Sequence, residues 1–404
     1  MENKNRSGIS FLGVSRTTRH LLIFTFVACL VVIATQPLQA QTYSVLHTFT
    51  GYPADGAHSE AGLIVDSAGN FYGTTASGGA HDSGTVFRVT GTGKEKLVHS
   101  FGLAPGDGGQ PVAGLLGIKG TLYGPTENGG QFFAGTVFKL TKAGNETLLF
   151  SFNGGTTGNN PVAGLATDKQ GNLYGTTESG GVGSFGNGGL VFKIDKAGQE
   201  STLYNFCSVQ NCADGWTPKA GLILDSKGNL YGTTSAGGAH DFGTIFEVTP
   251  SGKETVLYSF GGFNGDGIAP VAGLARDSKG NLYGTTSVDG FGFGTVFKLT
   301  AAGKESVLYS FTGHADGNTP LAGLVRDSTG NLYGTTENGG TDQHGVVFKL
   351  SPNGQETVLY NFTGKADGRE PVAGLALSKG SFYGTTISAG DPTCFCGTVF
   401  KLTP

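Results

Sequence analysis

The sequence predicts an all-β protein, a seven-bladed β-propeller with four-stranded blades. Three observations carry this. A short strand motif is written seven times, each repeat holds four strand-length apolar runs, and the N-terminus supplies a strand that the last repeat lacks. The motif is GNLYGTT at 171–177, 228–234, 280–286 and 330–336, with variants at 69–75, 120–126 and 380–386. Its tyrosine falls at Tyr72, Tyr123, Tyr174, Tyr231, Tyr283, Tyr333 and Tyr383, at intervals of 50 to 57 residues. Such a period marks a propeller or a solenoid.

The sixth repeat shows the elements in order: PLAGLVRD (320–327), NLYGTT (331–336), GVVFKLS (345–351) and ETVLYNF (356–362). Each run is strand-length and none has helical periodicity, so a repeat is one four-stranded blade. The last repeat stops after GTVFKLTP, without its fourth strand, while YSVLHTF at 43–49 matches SVLYSF at 306–311. The first strand is therefore expected to pair into the last blade and close the ring. Closure leaves few free sheet edges, which are an aggregation hazard. An open solenoid would call for atypical capping repeats instead.

The turns divide into two kinds. DSKGN (225–229, 277–281) and TPSGKE (249–254) keep nearly one length in every repeat. Their glycines suit the left-handed backbone of a tight hairpin. The connections from strand two to strand three, and from strand four to the next blade, vary in length and content. Strands alternate in direction, so both variable sets are expected on one face, where function usually sits. The glycine after the motif tyrosine is expected to allow close backbone packing near the axis. The tyrosine itself is expected between blades.

Composition agrees. Glycine is 72 of 404 residues, more than twice the usual share of about 7%. The chain is too apolar and aromatic for disorder, and its glycines lack the every-third spacing of collagen. Lys4, Arg6, Arg16 and Arg19 precede LLIFTFVACLVVIA (21–34), and Ala40 precedes Gln41. A basic start, an apolar core and a small residue read as a signal peptide over 1–40, with the propeller domain at 41–404. The apolar core is short of the roughly 20 residues of a membrane span, so an uncleaved signal is the one membrane contact expected. Loss of four cations and one anion with residues 1–40 takes the net charge from −4 to −7. A mildly acidic exported protein is no nucleic-acid binder, because phosphate contacts need clustered Lys and Arg.

Cys29 lies in the signal, which leaves Cys207, Cys212, Cys394 and Cys396. An even count in an exported chain suggests disulfides. Four cysteines allow three pairings. The short loop favours Cys207–Cys212, with Cys394–Cys396 remaining, and no zinc site is read from them.

Taken together, DSKGNLYGTT, GTVFKLT, GKETVLYSF and the DG..P.AGL spacing resemble the GloVer-type tandem repeat of exported bacterial proteins called choice-of-anchor proteins. The resemblance covers about residues 43–404. The D..GNLY portion alone is also similar to sensor-domain and NHL-type propellers. The resemblance implies export and a propeller. It implies no activity, so no catalytic residue is carried over. No sorting segment is read after Pro404, so cell-wall anchoring is not expected.

Residues that recur from blade to blade read as structural; the Asp-Gly pair occurs in six, with Thr157-Gly158 in the remaining one. Asp55, Asp107, Asp214, Asp266, Asp316 and Asp367 each precede a glycine. They suggest turn formers at blade junctions rather than calcium ligands. His47 and His99 replace the tyrosine of VLYSF and are expected to pack. Residues that break the symmetry are the candidates for ligand binding. Trp216, Phe132 and Phe133 offer rings for stacking on a sugar or a partner; Phe291, Phe293 and Phe395 lie on the same kind of loop. His81, Asp82, His240, Asp241 and Phe242 come from AHDSGT and AHDFGT, on blades expected nearly opposite each other. His314, Asp342 and His344 complete the set. His58, His81 and Asp82 are the easiest cluster for a transition metal, but no metal or cofactor is expected. No G-x-S-x-G elbow, H-E-x-x-H helix or phosphate loop occurs. The expectation is a monomeric secreted, periplasmic or cell-surface propeller that binds a glycan or a surface protein without catalysis. An extracellular polysaccharide hydrolase or lyase is the alternative, and a passive surface scaffold a third.

Overall fold

The computed structural model describes residues 41–102, 106–261, 265–288 and 292–404, in one compact unit, Gln41–Pro404. The signal segment expected at 1–40 and Phe291 lie outside the described residues. Among them the strands form seven four-stranded sheets with antiparallel neighbours, the blades of a β-propeller. Blade six is typical. A short inner strand Val325–Arg326 leads to Leu332–Thr336, then Val346–Leu350, then the outer strand Glu356–Asn361. Every blade carries a register shift between its third and fourth strands, as between Val347 and Phe348. Such a bulge increases local twist and turns the outer strand away from the inner one.

The ring closes as expected. Blade seven runs Ala376–Ser378, Ser381–Thr386, Thr398–Thr403, with Thr42–Thr48 as its outer strand. The register pairs Thr42 with Thr403 and Thr48 with Thr398.

The core lies between blades, not within them. Each junction holds its own apolar cluster. That of blades seven and one joins Phe49 and Val399 to Leu63, Phe71 and Phe87. At every junction the phenylalanine ending one outer strand meets the third-strand phenylalanine of the next blade edge-on. Examples are Phe49–Phe87 at 5.0 Å, Phe206–Phe246 at 4.9 Å and Phe362–Phe400 at 5.3 Å. Edge-to-face rings at this spacing are a favoured aromatic geometry.

The motif can now be explained letter by letter. Its turn aspartate is the receiver: Asp327 Oδ1 accepts the N–H groups of Thr329 and Asn331 at 2.9 Å. The tyrosine hydroxyl reaches back, Tyr333 donating to Asp327 Oδ2 at 3.1 Å. Blades two and seven omit that aspartate and use Lys119-Gly120 and Lys379-Gly380, with φ of 49° and 86°, and 49° and 78°. Positive φ at both positions is the two-residue hairpin geometry. The first threonine ties to the next blade: Thr335 Oγ1 donates to the Ala373 carbonyl at 3.1 Å. The second meets its own third strand, as Thr286 with Thr295 at 2.8 Å.

The motif glycine differs from expectation. It lies opposite the third-strand phenylalanine, Gly232 against Phe246. A Cβ on Gly232 would stand 2.6 Å from Phe246 Cζ and 2.9 Å from Leu222 Cδ2. It is a socket for two side chains, not an approach to the axis. The close backbone approach belongs to the AGL glycines instead. A Cβ on Gly323 would lie 3.1 Å from the Gly273 carbonyl oxygen, and one on Gly221 3.3 Å from that of Gly164. Gly62, Gly114, Gly164, Gly221, Gly273, Gly323 and Gly374 thus follow one another around the innermost circle of the ring.

Candidate functional site

The two variable sets of connections do share a face. In every blade a short bridge joins them: Ala57 to Ser77, Gly109 to Asn128, Trp216 to Ala236, Arg369 to Ser388. Exposed apolar side chains gather there. Phe132, Phe133, Phe185, Trp216, Phe395 and Tyr52 are all exposed, Phe133 by 82% and Trp216 by 46%. The structure pairs Cys207 with Cys212 and Cys394 with Cys396. The first disulfide loop gathers its neighbours: the Phe185 N–H donates to the Cys207 carbonyl at 3.0 Å, and Trp216 N–H to Ala236 at 2.8 Å. Trp216 thus stands on a segment braced from both sides, beside a blade-three loop that carries Phe185.

Other expected residues serve the loops themselves. Asp82 accepts the Gly78 N–H at 2.7 Å and Asp241 the Gly237 N–H at 3.0 Å, both from left-handed backbone. These carboxylates cap turns, while His81 and His240 remain exposed at the tips. Phe242 and Phe293 are half-buried and pack into junction clusters. His344 covers Gly364, where a Cβ would meet the imidazole at 2.4 Å. His314 and Asp342 are exposed. His58 Nδ1 engages Ser77 Oγ at 2.7 Å. Among the described residues, His58, His81 and Asp82 are not brought within reach of one ion.

The mouth of the channel holds groups that sequence reasoning missed. Glu60 and Lys219 each stand two residues before an inner-circle glycine, where other blades have Val112, Val162, Val271, Leu321 or Val372. Lys219 Nζ pairs with Glu178 at 2.9 Å. Burial and then Glu127 raise the Glu60 carboxyl. Burial and then Glu178 raise Glu127, against the opposing pull of Lys219. Four adjacent blades therefore converge their charges on one arc. A second acidic pair lies at Glu337 and Glu370, with Glu337 raised by burial and by its neighbour. Carboxylates accept hydrogen bonds from ligand hydroxyls, and a lysine donates them. Setting the repeats side by side would have exposed Glu60 and Lys219 as odd residues in an apolar column.

The Asp-Gly aspartates sit at junctions on the perimeter. Asp316 accepts the Tyr309 hydroxyl at 2.9 Å and the Thr312 N–H at 2.8 Å. Asp214 does the same for Tyr204 and Ser208, at 2.7 and 2.8 Å. They order the turn, as a turn former should. Asp214, Asp266 and Asp316 also each face a glutamate from the next blade. Burial and then the aspartate push Glu254, Glu305 and Glu356 up to about 7. His47 and His99 pack edge-on against Phe49 and Phe101, at 4.9 and 4.7 Å, and also meet carboxylates.

A pH dependence follows. A glutamate raised from 4.5 to about 7 holds its proton in the folded state and releases it on unfolding. Between these values the native state binds more protons, so stability falls as pH rises. The turn aspartates act oppositely. Burial alone would raise Asp327, but hydrogen bonds from Asn331 and Thr329 outweigh it and hold the carboxyl well below its usual range. That contribution is lost as pH falls below the unfolded value. Thermal melts are expected to show a midpoint higher near pH 5 than near pH 8. The triple change Glu254→Gln, Glu305→Gln, Glu356→Gln flattens that slope; an unchanged slope would refute the assignment.

Fold and face together define a closed propeller that displays variable loops on one side of a rigid ring. The chain belongs to the Gloeobacter/Verrucomicrobia repeat family, whose model matches residues 31–213 and 183–400. No curated protein matches it. Among solved structures it is similar to the extracellular domain described as belonging to a one-component system of B. thetaiotaomicron. That match has a TM-score of 0.58 at 10% identity and covers 88% of this chain and 40% of that one. It is also similar to PorZ of Porphyromonas gingivalis, titled an essential bacterial surface component of the type-IX secretion system. There the TM-score is 0.52 at 16% identity, covering 86% of this chain and 47% of that one. A protein of unknown function from Bacteroides thetaiotaomicron gives 0.50 at 14% identity, covering 90% of this chain and 76% of that one. The chain thus spans less than half the length of the first and second of these, and at such identities the likeness is one of fold. The two disulfides agree with an oxidising, exported setting.

Proposed function

We propose that this protein is an exported, non-catalytic binding module whose variable-loop face takes a glycan or a surface protein. The observation that carries the reading is Trp216. It is a braced, exposed ring three residues from Lys219, whose ammonium pairs with Glu178. A flat apolar surface beside fixed donors and acceptors suits a sugar, which offers C–H faces for stacking and hydroxyls for hydrogen bonds. The exposed rings of Phe132, Phe133 and Phe395 extend the surface that a larger partner would cover. The fold this chain shares with an extracellular domain and with a bacterial surface component supports export and a binding or scaffold role.

The test is glycan-array binding by residues 41–404, followed by titration of any hit. Trp216→Ala is expected to weaken affinity about tenfold or more, the scale of a buried aromatic anchor. No glycan bound, together with no partner captured on immobilised wild-type protein that Trp216→Ala fails to capture, overturns the proposal.

A second reading is a polysaccharide hydrolase or lyase. The carboxyls of Glu60 and Glu127, each raised by burial and by a neighbouring carboxylate, favour it, because a raised carboxyl is a candidate general acid. Product release from a polysaccharide panel, abolished by Glu127→Gln, would establish that reading over the first.

A further inference from the structure

The outer strands of blades seven and one carry histidine where blades three to six carry Tyr204, Tyr258, Tyr309 and Tyr360. In those four blades the hydroxyl donates to the junction aspartate, at 2.7 to 3.0 Å. Histidine brings a nitrogen lone pair to the same place. Two groups of three ligand atoms result, each within 4.8 Å of one another: His47, Asp55 and Glu95, and His99, Asp107 and Glu146. Among the described residues these are the groups of that kind.

The second group is arranged around an open valence. His99 Nε2 is buried without a hydrogen-bond partner, and so is Glu146 Oε1. The His99 ring also lies against the backbone of Gly144. Asp107 is aimed by its own turn, accepting from Gly102 N–H and Gly108 N–H at 2.8 Å each. Nε2 lies 3.7 Å from Glu146 Oε2, with side chains 13% and 18% exposed. Ligands about 2.0–2.1 Å from one tetrahedral ion are roughly 3.3 Å apart, so a small closure suffices. Glu95 Oε1 is likewise buried and unpartnered in the first group. There His47 Nε2 lies 3.0 Å from Asp55 Oδ2, the spacing of ligands that share an ion or a proton.

We propose that His99, Asp107 and Glu146 bind a divalent transition-metal ion at the junction of blades one and two, and that His47, Asp55 and Glu95 form the same site one junction earlier. One imidazole with two carboxylates suits zinc or manganese better than calcium, which takes oxygen ligands alone. Each ion would staple two blades, and the pair would join blades seven, one and two at and beside the place where the ring is closed. This inference is independent of the ligand-binding face.

The test uses residues 41–404 stripped with EDTA and titrated calorimetrically with Zn²⁺, Mn²⁺ and Ca²⁺. Wild type is expected to bind two Zn²⁺ or Mn²⁺ ions and to melt at a higher temperature when loaded. His99→Tyr and His47→Tyr restore the residue of other blades, so folding should survive; near-UV circular dichroism verifies it. Each is expected to lose one ion, and the double variant both. Glu146→Gln should weaken its site about tenfold or more. Binding in wild type that the double His→Tyr variant retains, binding of Ca²⁺ as tight as that of Zn²⁺, or no binding at all would each overturn the proposal. One ion lost with His99→Tyr alone would keep the second site and refute the first.

Discussion

Phe49→Ala is expected to lower unfolding free energy by about 3–5 kcal/mol, the cost of removing a buried phenylalanine. Phe49 is 0% exposed and sits at the one junction made by the two ends of the chain. Its ring meets Phe87 edge-on and fills the space between Val399 and Leu63. No neighbour can collapse into the gap without opening the ring, because each cluster is bounded by two rigid sheets. Deleting 41–49 should do more. It removes Thr42–Thr48 from Thr398–Thr403 and leaves an unpaired edge in blade seven. Such an edge is a template for association. Denaturant midpoints and size-exclusion profiles check both: a large drop for Phe49→Ala and aggregation for the deletion. A midpoint within error of wild type for Phe49→Ala would mean that the ring does not close there.

Gly232→Ala is expected to destabilise by about 1–3 kcal/mol through overpacking alone. Gly232 has no left-handed backbone to defend. The added methyl would stand 2.6 Å from Phe246 Cζ and 2.9 Å from Leu222 Cδ2, both side chains locked in a junction cluster. Combining it with Phe246→Leu should recover part of the loss, since the ring atom that clashes is gone. The double-mutant cycle is therefore expected to show a coupling of about 0.5–3 kcal/mol. Additive losses would mean that the glycine is kept for some other reason.

The fold was legible because the sequence states it seven times. Strand lengths, closure by 43–49 and the shared face of the variable loops all follow from comparing one repeat with the next. The misreadings are local. The motif glycine is a side-chain socket because Gly232 pairs with Phe246, and cross-strand register is not written in a glycine. Asp82 and Asp241, expected as ligand candidates, also cap Gly78 and Gly237, a role not written in their sequence because loop carboxylates find backbone N–H groups nearby. Convergence was hardest to see. Glu60, Glu127, Glu178 and Lys219 come from four different blades, and only the ring brings them to one mouth. His99 and Glu146 likewise meet across a junction, about a repeat apart in sequence.

Pairing Thr42 with Thr403 fixes where the polypeptide enters and leaves the disc. Third strands end, and fourth strands begin, on the side of the constant hairpins. Gln41 and Pro404, the ends of the described ring, therefore lie side by side on the underside, away from Trp216 and the channel mouth. A tag, linker or lipid attached at either end would hold the disc by its back and present the loop-bearing rim outward. Immobilisation through either terminus should therefore leave that rim open to a partner in solution.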